Sequence, residues 1–239
     1  MVRCNHPPTA YLTCPAITPR QLLVPAEWRV CVARLRHRLL APEASRTAKE
    51  HTMKALILNA SIYGHSGRYA EMIASALTDA GWDVHTLTTK GFTVEAARET
   101  LGGEPDLVVY AGGNYAGKLH DVKAFVSAAH AFEGARLALL SVAWADPSRT
   151  DEVDKVHRAN LPSDVYARTE RFHARGGLAH SKVSFAHKAA LTGVHAFMKA
   201  VPASKRHAND QEMLDTWGTD TDFVKRENIE PMLKALLDS

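Results

Sequence analysis

The stretch MKALILNASIYGHSGRYAEMIASAL, residues 53–77, decides the fold. Its opening KALILN, at 54–59, is a continuous apolar run, as a strand covered on both faces requires. Tyr69, Met72, Ile73, Ala76 and Leu77 then recur at spacings of three and four, the stripe of an amphipathic helix that Gly81 stops. Between strand and helix, three hydroxyl side chains (Ser61, Tyr63 and Ser66) surround Gly64. A helix N-terminus offers unpaired N–H groups and the positive end of the helix dipole, so this loop suits a phosphate. The plainer reading is a turn closed by Ser66 as a helix cap. A cap alone does not require Ser61 and Gly64 as well.

Outward from this stretch, short apolar runs alternate with helical patterns. Strands are predicted at 82–88, 106–110, 136–142 and 169–175, and helices at 93–101, 121–132, 151–160, 184–199 and 229–237. Residues 202–223 read as loop. The alternation predicts an α/β fold, a parallel sheet with helices on both faces joined by right-handed crossovers. Ligands of such sheets bind beyond the carboxyl ends of the strands, where the strand order reverses.

Three loops leave strand ends with suitable chemistry. SIYGHSG at 61–67 places small and hydroxyl residues where N–H groups converge on an anion, and His65 could donate a hydrogen bond there. AGGNYAG at 111–117 combines three glycines with Asn114 and Tyr115, a composition that lets backbone approach a flat ring while an aromatic side chain stacks on it. A flexible loop with a surface tyrosine is the alternative. VAWAD at 142–146 offers Trp144 to cover the far side of a ring, although a lone Trp near a strand end is more often a packing residue.

Several classes are excluded. G-x-G-x-x-G does not follow the first strand, and neither G-x-x-x-x-G-K-[ST] nor G-x-S-x-G occurs, which disfavours a dinucleotide site, a P-loop and a nucleophile elbow. Thirteen histidines include His180, His187 and His195 at spacings of seven and eight, but no H-x-x-x-H pair or zinc-type Cys/His cluster, so no metal site is expected. If the protein is an enzyme, the chemistry belongs to a bound cofactor, and no catalytic side chain can be named.

Charge and cysteine divide the chain at Met53. Residues 1–52 hold eight of the 29 basic residues and three of the 26 acidic ones, leaving 21 against 23 for 53–239. The basic character therefore belongs to the leader, and the rest has no nucleic-acid footprint. Cys4, Cys14 and Cys31 all lie in that leader, so a cysteine-free domain fits a reducing, cytoplasmic setting. With VARLRHRLL at 32–40 the leader could be a targeting arm. It reads better as a disordered tail or as sequence upstream of a true start at Met53, which gives two segments, 1–52 and a globular 53–239.

SIYGHS resembles the [ST]-x-[TY]-G-x-[ST] phosphate loop of flavodoxin-like proteins. AGGNYAGKLHDVKAFV and RGGLAHSKVSFAHKAAL are similar to segments of the flavodoxin-domain group that includes bacterial menaquinone-dependent protoporphyrinogen oxidases. The resemblance implies a flavodoxin-like three-layer sandwich with a five-stranded parallel sheet of order 2-1-3-4-5. It implies FMN at the switch point between the first and third strands. Ser61, Tyr63, Gly64, His65, Ser66 and Gly67 would surround the phosphate. Gly112, Gly113, Asn114, Tyr115, Ala116 and Gly117 would line one side of the flavin ring, and Ala143, Trp144 and Ala145 the other. Tyr63 stands where small flavodoxins have threonine.

The expected function is an FMN-dependent oxidoreductase that passes electrons between a reduced donor and a quinone or porphyrinogen-like acceptor. The alternatives are a non-enzymatic electron carrier serving a partner enzyme, and a domain that keeps the fold without flavin. A near-neutral globular part argues against a shuttle steered by charge. The helix at 184–199, with Phe185, Leu191, Val194, Phe197 and Met198, is open to three readings, core, dimer face or membrane-surface contact, with core packing the default for an apolar stripe of this kind. The oligomeric state is not legible.

Overall fold

The computed structural model describes residues 52–238, so the expectations for the leader lie outside the described residues but for Thr52. β1 (Lys54–Ala60) is followed by α1 (His65–Asp79), β2 (Asp83–Thr88), α2 (Val94–Leu101), β3 (Leu107–Tyr115), β4 (Lys118–Leu119) and α3 (Val122–Ala131). The chain continues through β5 (Arg136–Ala143), α4 (Thr150–Asn160), α5 (Ser163–Arg168), β6 (Thr169–Arg175) and β7 (Gly177–Leu178). It closes with α6 (Phe185–Ala200), α7 (Ala208–Asp215), β8 (Thr221–Asp222) and α8 (Glu230–Leu237).

The apolar run that opens the domain becomes the inner strand β1 because both of its faces find cover. Ala55 and Ile57 point to one side of the sheet, Leu56 and Leu58 to the other, and all four are inaccessible to solvent. β1 pairs in parallel with β2 and β3, with Ile57 opposite Thr86 and Val109. The strand order is β2-β1-β3-β5-β6, with β4 attached to β3 alone. Without that hairpin strand, this is the predicted 2-1-3-4-5 order.

On one face, Tyr69, Ile73 and Leu77 of α1 and Met232, Leu233 and Leu236 of α8 pack on Ala55, Ile57, Leu107 and Val109. On the other, Ala97 of α2, Phe125 and Ala129 of α3 and Val165 of α5 cover Leu56, Leu58, Val108 and Tyr110. Burial of these stripes is the main stabilising term, worth about 1.5–3 kcal/mol for each large side chain. The result is an α/β flavodoxin-like sandwich.

Two segments depart from expectation. The strand predicted at 106–110 runs on through Tyr115, because Gly112 and Gly113 lie within it. A Cβ on Gly112 would stand 2.0 Å from the Tyr110 hydroxyl oxygen, and one on Gly113 would stand 2.5 Å from that of Tyr115. These glycines make room for the protein's own tyrosines. Ala116 (φ 49°) and Gly117 (φ 82°) then form the two-residue turn into β4, with the positive φ at both centres that a tight hairpin needs.

The second is 202–223, which is not loop. It carries a 3-10 turn at Ala203–Lys205, then α7 and β8. β8 returns to pair antiparallel with β7, so that residues 179–220 form an excursion with a closed neck. A Cβ on Gly177 (φ 127°) would fall 2.2 Å from the Thr221 carbonyl oxygen, so the neck needs glycine there.

Candidate functional site

The predicted phosphate loop turns at Gly64, whose φ of 96° is left-handed and open only to glycine without strain. Ser61 Oγ accepts from Gly64 N–H at 3.1 Å and so shapes the loop. Gly64 is the N-cap residue of α1, no side chain caps it, and the first turn contains no acid. Ser66 is buried inside the first turn, which rules out the plain capping role considered for it. Gly67 lets α1 approach Asn59 and Ser61, at 3.4–3.5 Å from the position of a Cβ. The helix N-terminus thus presents donors with no side-chain partner, the arrangement an anion would complete.

Beyond this terminus lies a cavity of about 730 Å³, lined by all three predicted loops. Tyr63, His65, Ser66, Gly113, Asn114, Tyr115, Ala116, Gly117, Ala143, Trp144 and Ala145 line it. Ser61, Gly64, Gly67 and Gly112 belong to the same loops and strand ends but do not line the cavity. Asn114 Oδ1 is buried with no hydrogen-bond partner, an acceptor that the imide N–H of a flavin ring would satisfy. Burial pushes the Tyr115 phenol up to about 12, so it stays protonated. Burial also lowers the pKa of His65, against the pull of Asp222, and nearby Arg68 and Lys182 lower it further.

The excursion supplies the rest of the cavity wall, which sequence reasoning missed. His187, Leu191, Val194 and Met198 of α6 line the side opposite the strand ends. Tyr63 latches α6 to the 61–67 loop: its oxygen accepts from Ser184 N–H at 3.3 Å, and its O–H is placed to donate to His187 Nδ1 at 2.6 Å. The His187 ring stacks on Tyr115, with centroids 5.3 Å apart and planes at 9°. This accounts for the tyrosine where small flavodoxins have threonine.

Trp144 is held as a packing residue while one side faces the cavity. Its Nε1–H donates to the Asn209 carbonyl at 3.0 Å, and its ring meets Phe223 edge-on at 5.2 Å. Asn209 answers through Nδ2 to the Trp144 carbonyl at 3.3 Å and accepts from Asp146 N–H at 3.2 Å. The pairs Arg149–Asp210 and Arg175–Glu212, each at 2.6 Å, complete the pinning of α7 to the site.

Behind the cavity, Ser141 of β5 lies between two histidines, 2.8 Å from His157 Nε2 and 2.8 Å from His173 Nδ1. His173 Nε2 reaches the Ala145 carbonyl at 3.1 Å and must therefore be the donor. Its Nδ1 then accepts from Ser141, which in turn accepts from His157. One directed chain fixes the bend where β5 leaves the sheet. Burial lowers His157 to about 4 and lowers His173 as well, so the chain is neutral.

An α/β sheet of this order, with a cavity at its switch point beside an uncapped helix N-terminus, defines a flavodoxin-like protein. The flavodoxin domain family matches residues 56–201, more than half of the 239-residue chain. The chain belongs to the flavodoxin-domain family.

No curated protein matches it. Among solved structures, it is similar to a mutant flavodoxin from Pseudomonas aeruginosa at 15% identity, over 61% of this chain and 96% of that one, with a TM-score of 0.35. It is similar to a flavodiiron core from Synechocystis sp. at 15% identity, over 74% of this chain and 42% of that one, with a TM-score of 0.38. It is also similar to two-electron reduced Megasphaera elsdenii flavodoxin at 16% identity, over 50% and 82%, with a TM-score of 0.35. The family itself implies a flavin and electron transfer to redox partners. Among the described residues, no helix is long and apolar enough to cross a membrane.

Proposed function

We propose that the cavity holds FMN and that the protein is an oxidoreductase working between a reduced donor and a quinone or porphyrinogen-like acceptor. The observation that carries this reading is the uncapped N-terminus of α1 opening into a cavity of about 730 Å³ at the switch point of the sheet. The terminal phosphate would lie against the N–H groups of His65, Ser66 and Gly67, with Lys182 near enough to influence His65. Asn114 and Tyr115 would hold one side of the ring, and Ala143, Trp144 and Ala145 the other. Bound flavin supplies reversible electron transfer; the chain's own groups orient it, and α6 shields it from water.

The likeness of AGGNYAG and the Arg175-Gly176-Gly177 segment to menaquinone-dependent protoporphyrinogen oxidases is what points to a quinone or porphyrinogen partner. A wall formed by α6 over the cavity argues against an open electron shuttle, whose flavin edge must meet a partner protein. The cysteine-free domain suits a cytoplasmic location.

Purified protein should be yellow, or should take up added FMN, and should reduce members of a quinone panel when given a reductant. The pair Ser61→Asp plus Ser66→Asp should weaken FMN binding roughly 100-fold, since like charges placed together cost several kcal/mol. A colourless protein with no affinity for FMN overturns the reading.

A further inference from the structure

The core packing expected of the helix at 184–199 does not hold: of the α6 side chains described, none is buried, whereas α1 buries seven residues. The inner side of α6 is half-buried over the cavity through His187, Leu191, Val194 and Met198. Its outer side turns Phe185, Lys188, Ala189, Thr192, Ala196 and Lys199 to solvent. Phe185 is 90% exposed, and Phe197, on the cavity rim, is 72% exposed. Scattered exposed apolar residues are ordinary in any protein. Here they coincide with a segregation of charge. Residues 180–207 contain five basic residues and no acid, leaving 16 basic against 23 acidic in the rest of 53–239. Within the described residues, Lys182, Lys188, Lys199 and Lys205 form no ion pair.

We propose that α6 is a docking face for an anionic lipid surface. A helix with aromatic anchors, basic flanks and no acid lies in the interface plane, its apolar groups entering the boundary between headgroups and acyl chains. Phe185 and Phe197, near the two ends of the 16-residue helix, are the anchors, and the four lysines meet lipid phosphates. Ala189, Thr192, Gly193 and Ala196 between them are small, so the exposed face has low relief. The helix is held in place for this role. Ser184 caps its start, Trp217 stacks on His195 at 4.0 Å, and Arg206 binds the carbonyls of Met198, Lys199 and Val201 at its end. Docked in this way, the cavity rim at Phe197 and Met198 sits at the lipid boundary.

Flotation of the full chain with phosphatidylglycerol-containing vesicles tests this, against pure phosphatidylcholine vesicles and at low and high salt. Binding is expected to the anionic vesicles, and at least about 10-fold less to neutral vesicles or at high salt. Phe185→Ala with Phe197→Ala, and separately Lys188→Glu with Lys199→Glu, should each lower it at least about 10-fold while the far-UV spectrum is unchanged. The basic leader is present in every variant, so binding that survives both pairs of substitutions overturns the proposal. So does no vesicle binding, or a self-association in solution that the phenylalanine pair abolishes. The outcome is independent of the flavin reading, because flotation is read with or without added FMN.

Discussion

The sheet and the excursion at 179–220 are held by different physics. In β1, β3 and β5 the side chains facing the helices are inaccessible or nearly so, and the contacts that fix them are apolar and non-directional. The excursion contributes few buried groups, Met213 and Asn209 among them, and is placed by directional contacts. These are the Asn209 bonds to the Trp144 loop, the Arg149–Asp210 and Arg175–Glu212 pairs, the His195–Trp217 stack and the β7–β8 neck. Burial summed over a sheet makes a cooperative unit, whereas a few polar pins make a part that can open by itself. The cavity lies on the seam between the two, with a rigid floor and a releasable wall.

The largest expected contrast is between two phenylalanines. Phe125→Ala empties a fully buried site under the sheet and should cost about 3–5 kcal/mol in chemical denaturation. Phe185→Ala, at 90% exposure, should stay within about 0.5 kcal/mol. Comparable losses would show that α6 belongs to the cooperative core.

Next comes the histidine chain beneath the site. The folded pKa of His157 is about 4, below its ordinary value of 6.5, because burial disfavours the cation. The unfolded chain therefore binds more protons between these values, and stability is lost as pH falls from 6.5 towards 4. A gap of this size corresponds to about 3 kcal/mol at full protonation. His157→Gln, which keeps an N–H for Ser141, should flatten the denaturation midpoint across that window. An unchanged slope in the variant would assign the acid sensitivity to other groups.

The same contrast explains what the sequence disclosed. KALILN could be read because a strand buried on both faces must be apolar at consecutive positions, and the α1 stripe because one face of a helix must be. The turn at 61–67 was legible because few residues other than glycine adopt the φ of Gly64, and because Ser61 and Ser66 stand out beside it. The ends of β3 were not, since Gly112 and Gly113 look like loop residues until Tyr110 and Tyr115 are seen folded against them. Nor was α7: ANDQEMLD buries only Met213 as an apolar anchor, and its ties to the site are polar pairs to residues 37–65 positions away. Thr221 as the partner of Gly177 is a neighbour of the same long-range kind. Periodicity reports burial, and it is silent about pins.

One pin can be drawn singly. Asn209→Ala removes the side-chain bonds to the Trp144 carbonyl and the Asp146 N–H, and leaves those two groups to find other partners. The expected cost is about 1–3 kcal/mol. It should appear as faster proteolysis and amide exchange within 179–220, with little change in the strands. Protection lost equally from β1 and β3 would mean that the excursion and the sheet open together.

The smallest effect tests the floor rather than the wall. Ala116 sits at φ 49° in the β3–β4 turn, a left-handed position that costs a residue with a Cβ about 1–2 kcal/mol. Glycine removes that penalty but gives back part of it in unfolded-state entropy. Ala116→Gly should therefore raise stability by about 0.5–1 kcal/mol. A β-branched residue at the same place should lower it. Because Ala116 also lines the cavity, the glycine variant separates two reasons for keeping alanine there. If stability rises while FMN affinity falls, the strained turn is held for the shape it gives the ring site. If both rise, the floor carries strain that the ligand does not use.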